Sequence, residues 1–84
     1  MSNYKVFDNL AVSESGFLFS PSTGESFTLN PIANQILHLL KQGETINQIK
    51  EKILSEYDID ESSLEKDLDD FINQLINYKI VEEK

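Results

Sequence analysis

The chain contains no cysteine, no arginine and no tryptophan, and it has a single histidine. Without cysteine there is no disulfide framework, no thiol nucleophile and no thiolate metal site, which fits a reducing compartment and makes a cytoplasmic location the expectation. Without arginine the chain lacks the side chain that reads guanine edges in a bidentate way. Long apolar runs are missing too. No stretch approaches the roughly 18 residues of a membrane-spanning helix, and Met1-Ser2-Asn3-Tyr4-Lys5 lacks the charged and apolar regions of an export signal. Neither export nor membrane insertion is expected. Gly16, Gly24 and Gly43 stand apart from one another, so there is no glycine-rich loop to cradle a phosphate.

What remains is 84 residues, 39% of them hydrophobic, with five phenylalanines and three tyrosines. A chain of this size buries roughly 60–65% of its unfolded surface, enough for one domain over residues 1–84 but not for a deep substrate pocket. The net charge of −8 is unevenly placed, −1 over residues 1–43 and −7 over residues 44–84. An acidic half-domain repels phosphate, which argues against a nucleic-acid partner.

The organising stretch is Ser26 to Ala33, where a period of two gives way to a period of 3.6. Phe27 and Leu29 alternate with Ser26 and Thr28 as in a half-buried strand. Asn30 is placed to cap a helix whose first residue, Pro31, has its φ already set. Upstream, residues 1–9 carry little pattern and read as an N-terminal arm. Leu10–Ser13 and Phe17–Ser20 are predicted strands, and Pro21-Ser22-Thr23-Gly24 is turn chemistry that folds the second onto Glu25–Asn30. With Ser20 opposite Glu25, Leu18 and Phe27 share one face, and Phe17 and Phe19 share the other with Thr28 and Ser26. Both faces then carry apolar groups, so helices must cover one and something else part of the other.

Downstream, the first helix runs from Pro31 to about Gln42, burying Ile32, Ala33, Ile36, Leu37 and Leu40 and ending at Gly43. Thr45 and Gln48 form a capping box for a second helix with Ile46, Ile49, Ile53, Leu54 and Tyr57 at helical spacing. Asp60 caps the third, with Ile59 and Leu64 spaced as a hydrophobic staple. Its apolar stripe is Leu64, Leu68, Phe71, Ile72, Leu75 and Ile76, and Glu65, Asp69 and Asp70 form an acidic stripe elsewhere. Ile80-Val81 reads as a short extended tail. Three strands followed by three helices make an α+β domain of winged helix-turn-helix type.

Candidate chemistry is sparse. His38, among Asn34, Gln35, Lys41 and Gln42, reads as a solvated histidine with neither triad nor ligand set. The acidic residues near Asp58 and Asp60 lack a calcium-loop pattern, and Asp67, Asp69 and Asp70 sit inside a helix where they cannot converge on one ion. No catalytic residue, metal or cofactor is therefore expected. A winged helix invites a DNA-binding reading, but the third helix carries Glu61, Glu65, Asp67, Asp69 and Asp70 against Lys66, with Lys79 beyond its end. Ser62-Ser63-Leu64 approaches the attachment motif of an acyl carrier protein, and departs from it where Ser62 replaces the required aspartate.

The ordered series Leu29-Asn30-Pro31-Ile32-Ala33, Ile36-Leu37, Gly43-Glu44-Thr45, Ile49-Lys50-Glu51-Lys52-Ile53, Tyr57-Asp58-Ile59-Asp60, Asp67-Leu68, Phe71, Leu75 and Ile80-Val81 resembles the PqqD-like family over about residues 10–82. These are recognition elements for precursors of ribosomally made, post-translationally modified peptides. Lys79 departs from the family, which commonly has Gly there, and implies a differently shaped exit to Ile80. The resemblance implies a non-catalytic peptide chaperone that binds a precursor's leader segment as an added strand and presents the core segment to a modifying enzyme, often a radical S-adenosylmethionine protein. The expected peptide-binding residues are Glu25, Ser26, Phe27, Thr28 and Leu29 on the strand and Leu64, Asp67, Leu68, Phe71, Ile72 and Leu75 on the third helix. Backbone pairing would supply affinity, side-chain pockets would select alternate residues, and salt dependence would be small. The competing reading is a generic protein-interaction or dimerisation module working through Phe17 and Phe19; the adaptor is expected as a monomer or weak dimer.

Overall fold

Asn30 turns strand into helix as its spacing predicts: its side-chain oxygen accepts the N–H of Ala33 at 2.8 Å, and Pro31 is the first helical residue. The computed structural model describes residues 4–7, 10–21 and 23–83. Residues 1–3, 8 and 9 of the expected arm, Ser22 of the expected turn and the terminal Lys84 lie outside the described residues. In chain order the elements are β1 (Tyr4–Val6), β2 (Ala11–Val12), β3 (Phe17–Ser20), β4 (Glu25–Thr28), α1 (Pro31–Lys41), α2 (Ile46–Glu56), α3 (Glu61–Asn77) and β5 (Val81–Glu83). The α+β, winged helix-turn-helix-like architecture read from the sequence is the one observed.

Strands β2, β3 and β4 form an antiparallel sheet in that order, with Leu18 opposite Phe27 and Ser20 opposite Glu25, the expected register. Leu18 and Ser20 are buried on the helix side, whereas Phe17 and Phe19 are 50% and 38% exposed on the other. Gly16 closes the sheet at its other end. It has φ +96°, a Cβ there would stand 2.6 Å from the Leu29 carbonyl oxygen, and its own carbonyl accepts the Leu29 N–H at 2.8 Å. Only glycine fits so close an approach in that conformation.

A second, two-stranded sheet was not anticipated: β1 pairs antiparallel with β5, Val6 opposite Val81. The tail at Ile80-Val81 and part of the N-terminal arm are therefore partners. Their pairing joins segments of three residues at opposite ends of the chain, too short for periodicity to register. Because β1 pairs with β5, this part of the arm is not placed along β4. It packs instead on α1, whose buried set is accordingly Ile36, Leu37, Leu39 and Leu40, with Ile32 and Ala33 only half-buried.

The helix ends follow the predicted caps. Thr45 and Gln48 form both bonds of the capping box, and Asp60 accepts the N–H of Ser63. Gly43, at φ +88°, ends α1 in a Schellman motif, with Gly43 N–H donating to Leu40 and Glu44 N–H to Leu39. Lys79 ends α3 in the same way at φ +61°, with Lys79 N–H donating to Ile76 and Ile80 N–H to Leu75. The exit to Ile80 thus keeps the left-handed shape that glycine favours, contrary to the expected change. The core joins Leu18, Leu37, Ile49, Ile53, Leu64, Ile80 and Val81, all nearly inaccessible. Ile76 is 37% exposed and leaves the predicted stripe.

Candidate peptide-binding groove

Strand β4 has one partner, so its far side is an open edge among the described residues. The Leu29 N–H faces β3, and alternation along an antiparallel strand then turns the Phe27 and Glu25 backbone groups inward. Ser26 and Thr28 therefore present N–H and C=O groups to the open side. This is a template on which an extended chain can form ladder hydrogen bonds.

At the end of β4, where Asn30 begins α1, lies a groove of about 320 Å³ between α1 and α3, lined by Ile32, Ala33, Leu64, Leu68 and Phe71, with Asn30 before α1, Ile59 before α3, and Asp67 and Asp70 on α3. Helical patterning assigns Ile32, Ala33 and Phe71 to the core, yet the structure leaves them half-buried, all on this groove. Phe27 and Leu29 are half-buried as well. Outside the groove lining, the Phe27 ring packs against Tyr78 at the C-terminal end of α3, with centroids 4.7 Å apart and planes tilted by 53°. Asp67, Phe71, Gln74 and Tyr78 recur at spacings of four, three and four, so they form one row along α3 and into its cap, lining the groove at Asp67 and Phe71 and touching Phe27 of β4 at Tyr78.

Of the expected binding residues, Glu25, Ser26, Phe27, Thr28 and Leu29 lie along the edge, and Leu64, Asp67, Leu68 and Phe71 meet in the groove. Ile72 and Leu75 do not join them. Both are buried, at 4% and 3% exposure, and Ile72 lines a hollow on the opposite flank of α3 with Tyr4, Ile46 and Lys50. Tyr78, Ile32, Ala33 and Asp70 escaped the sequence reading. Tyr78 continues the Asp67–Phe71 row by its spacing; Ile32 and Ala33 have the spacing of ordinary core; and Asp70 falls by sequence with Glu65 and Asp69, from which the structure separates it.

The two flanks of α3 differ electrostatically. On the α2 side, Lys50 Nζ stands 2.7 Å from Glu65 Oε2 and 3.8 Å from Glu61 Oε2. The hydrogen bond to Glu65, helped by the nearby carboxylates, raises the Lys50 pKa above its ordinary value. On the groove side, Asp67 and Asp70 are exposed, and no ion pair among the described residues reaches either. At the start of α3 the Ser62 hydroxyl and the Ser63 N–H both donate to Asp60, holding its carboxyl below the ordinary value.

His38 is a correction. It is half-buried, and its Nε2 is enclosed without a hydrogen-bond partner, rather than solvated. Its polar neighbours suggested an exposed flank, but Asn34 and Gln35 are themselves half-buried and tied down, Asn34 to the Glu14 carbonyl and Gln35 to Glu56 and Tyr57. Among the described residues, no group of three or more His, Asp or Glu is placed to hold a metal ion, and no helix is long and apolar enough to cross a membrane.

Comparison with known proteins gives consistent results. The protein-family model for Coenzyme PQQ synthesis protein D (PqqD) matches residues 16–81. The structure of TbiB1 in complex with the TbiA(beta) leader peptide is similar at 30% identity and a TM-score of 0.86, covering 93% of this chain and 94% of that one. A lasso peptide synthetase B1 complexed with the leader peptide shares the fold at 19% identity and a TM-score of 0.83, covering 95% of this chain and 98% of that one. Among curated protein sequences there is no significant match.

Proposed function

The chain belongs to the PqqD family, and from that premise we propose that it is a non-catalytic adaptor for the leader segment of a ribosomally made precursor peptide. The leader adds as a strand to β4, pairing with the outward backbone groups of Ser26 and Thr28 along the edge from Glu25 to Leu29. Alternate leader side chains enter the groove at Leu64, Asp67, Leu68 and Phe71, with the Phe27–Tyr78 pair outside its lining. Ile72 and Leu75 support the groove from beneath.

One observation carries this reading. An open strand edge leads through Asn30 into a groove in which Ile32, Ala33 and Phe71 are left half-buried around the buried Leu64 and Leu68, so a guest strand would complete both the ladder and the core. The 30% identical relative holding a leader peptide supports the same assignment. Held this way, the core segment is presented to a modifying enzyme, for which the family resemblance suggests a radical S-adenosylmethionine protein. In this reading residues 1–84 form one peptide-recognition domain that works in the cytoplasm as a monomer or weak dimer.

The test is an amide chemical-shift titration with leader segments of short precursors encoded beside this protein. Saturable shifts on Ser26–Leu29 and along α3 are expected. Ser26→Pro removes an outward N–H from an edge strand without breaking a bond to β3, so the fold should survive while binding is lost. Binding that is unchanged in a folded Ser26→Pro variant would refute strand addition.

The exposed Phe17 and Phe19 favour a second reading, in which the outer sheet face docks a fixed partner or another copy. A concentration-dependent mass in light scattering, abolished by Phe17→Ser, would favour it.

A further inference from the structure

The groove's charge narrows its guest. Helix α3 carries Glu61, Glu65, Asp67, Asp69 and Asp70, yet the protein neutralises them unequally. Glu61 and Glu65 share Lys50 across the α2 interface, whereas Asp67, Asp69 and Asp70 have no such cation, and of these Asp67 and Asp70 alone stand on the groove beside Ile32, Leu64, Leu68 and Phe71. Lys66, the one lysine within α3, is exposed and does not line the groove. Two unneutralised carboxylates on the rim of an apolar groove repel an acidic peptide and attract a basic one, and the net charge of −8 adds a long-range field of the same sign.

We propose that this groove selects a cationic extended segment, with an apolar side chain seated among Ile32, Leu64, Leu68 and Phe71 and a lysine or arginine within two residues of it meeting Asp67 and Asp70. The inference rests on the adaptor reading and refines it. It also replaces the sequence-level expectation of small salt dependence, because rim charges act mainly through association rate and ionic strength.

The probes are fluorescein-labelled peptides tiling the leaders of short precursors encoded beside this protein, each made in its natural form and with every lysine and arginine changed to glutamine. They are titrated against the full chain, D67N/D70N, D67E/D70E and D69N. Asp69 lines the hollow on the opposite flank, so D69N removes a charge from the helix but not from the groove. The tightest natural peptide should contain a basic residue near an apolar one. Its affinity should fall about three- to tenfold in D67N/D70N at low salt, the magnitude of one or two exposed ion pairs. D69N should bind as the wild type does, D67E/D70E should restore most of the loss, and high salt should erase the differences. If leader peptides bind with shifts on β4 and α3, but D67N/D70N and the glutamine peptides bind as tightly as their parents, the charge inference fails while the adaptor stands. If no leader-derived peptide binds the folded protein, both fail.

Discussion

Lys79 shows what a single residue costs in this chain. Helices α1 and α3 end in the same Schellman geometry, one with Gly43 and the other with Lys79 at φ +61°. A side chain in the left-handed region is strained by roughly 1 kcal/mol, partly offset because glycine makes the unfolded chain more flexible. Lys79→Gly should therefore raise stability by about 0.5–1 kcal/mol in urea denaturation, with the fold unchanged. Asp60 supplies a second prediction. Its carboxyl is held below the ordinary value of 3.8, so its contribution is complete above that value and is lost as pH falls through the folded-state pKa. Stability measured from neutral pH to below 3.8 should fall more steeply in the wild type than in Asp60→Asn, whose amide caps the helix but does not titrate in this range.

At the scale of elements, the junction of β4 and α1 joins architecture to binding. Asn30 caps α1 and stands on the groove, so the cap fixes where the strand edge lies relative to the helices. Asn30→Ala should cost about 1 kcal/mol in chemical denaturation. Helix α3 serves two neighbours. Leu64, Leu68, Ile72 and Leu75 are all buried, Leu64 and Leu68 also flooring the groove, while Phe71 is half-buried on the groove and Tyr78 at the helix end touches Phe27 of β4. Tyr78 is 41% exposed and its ring contact is with Phe27. Tyr78→Ala should therefore change stability little, by about 1 kcal/mol or less, the worth of one aromatic pair near the surface. Leader affinity should fall by a larger factor, as read by the same titration.

For the whole molecule, peptide binding and folding stability are linked. A leader that binds only the folded state stabilises it by RT ln(1 + [L]/Kd), about 1.4 kcal/mol at tenfold excess over Kd. In a domain of this size that corresponds to a rise in melting temperature of roughly 6–10 °C. A scrambled leader should leave the melting temperature unchanged in the same scan. The charge distribution also belongs to this scale, because the Lys50–Glu61, Lys50–Glu65 and Lys52–Glu44 pairs all lie within the acidic C-terminal half and still leave Asp67 and Asp70 without a cation.

Local chemistry was legible in the sequence. Asn30, Thr45 with Gln48, Asp60 and Gly43 marked the helix boundaries because capping and left-handed termination depend on one residue and its near neighbours. The β3–β4 register followed from a turn and a period of two, and the resemblance to the PqqD-like family rested on these same landmarks. The sequence could not show that β1 pairs with β5, because segments of three residues carry no period and their contact is closed by everything between them. Nor could it show which apolar residues of α1 and α3 remain half-covered. Periodicity gives Ile32, Ala33 and Phe71 the same standing as Leu37 or Leu64, and only the packing of the helices on the sheet leaves the first three facing an open groove. The same packing enclosed His38, brought Tyr78 onto Phe27, tied Glu61 and Glu65 to Lys50 and set Asp67 and Asp70 on the groove. By itself the sequence determined the elements, their ends and their order, since these are set by short-range backbone chemistry. Tertiary structure decided which edge is open, which apolar surface is unfinished and which charges are unpaired, because each depends on neighbours distant in the chain.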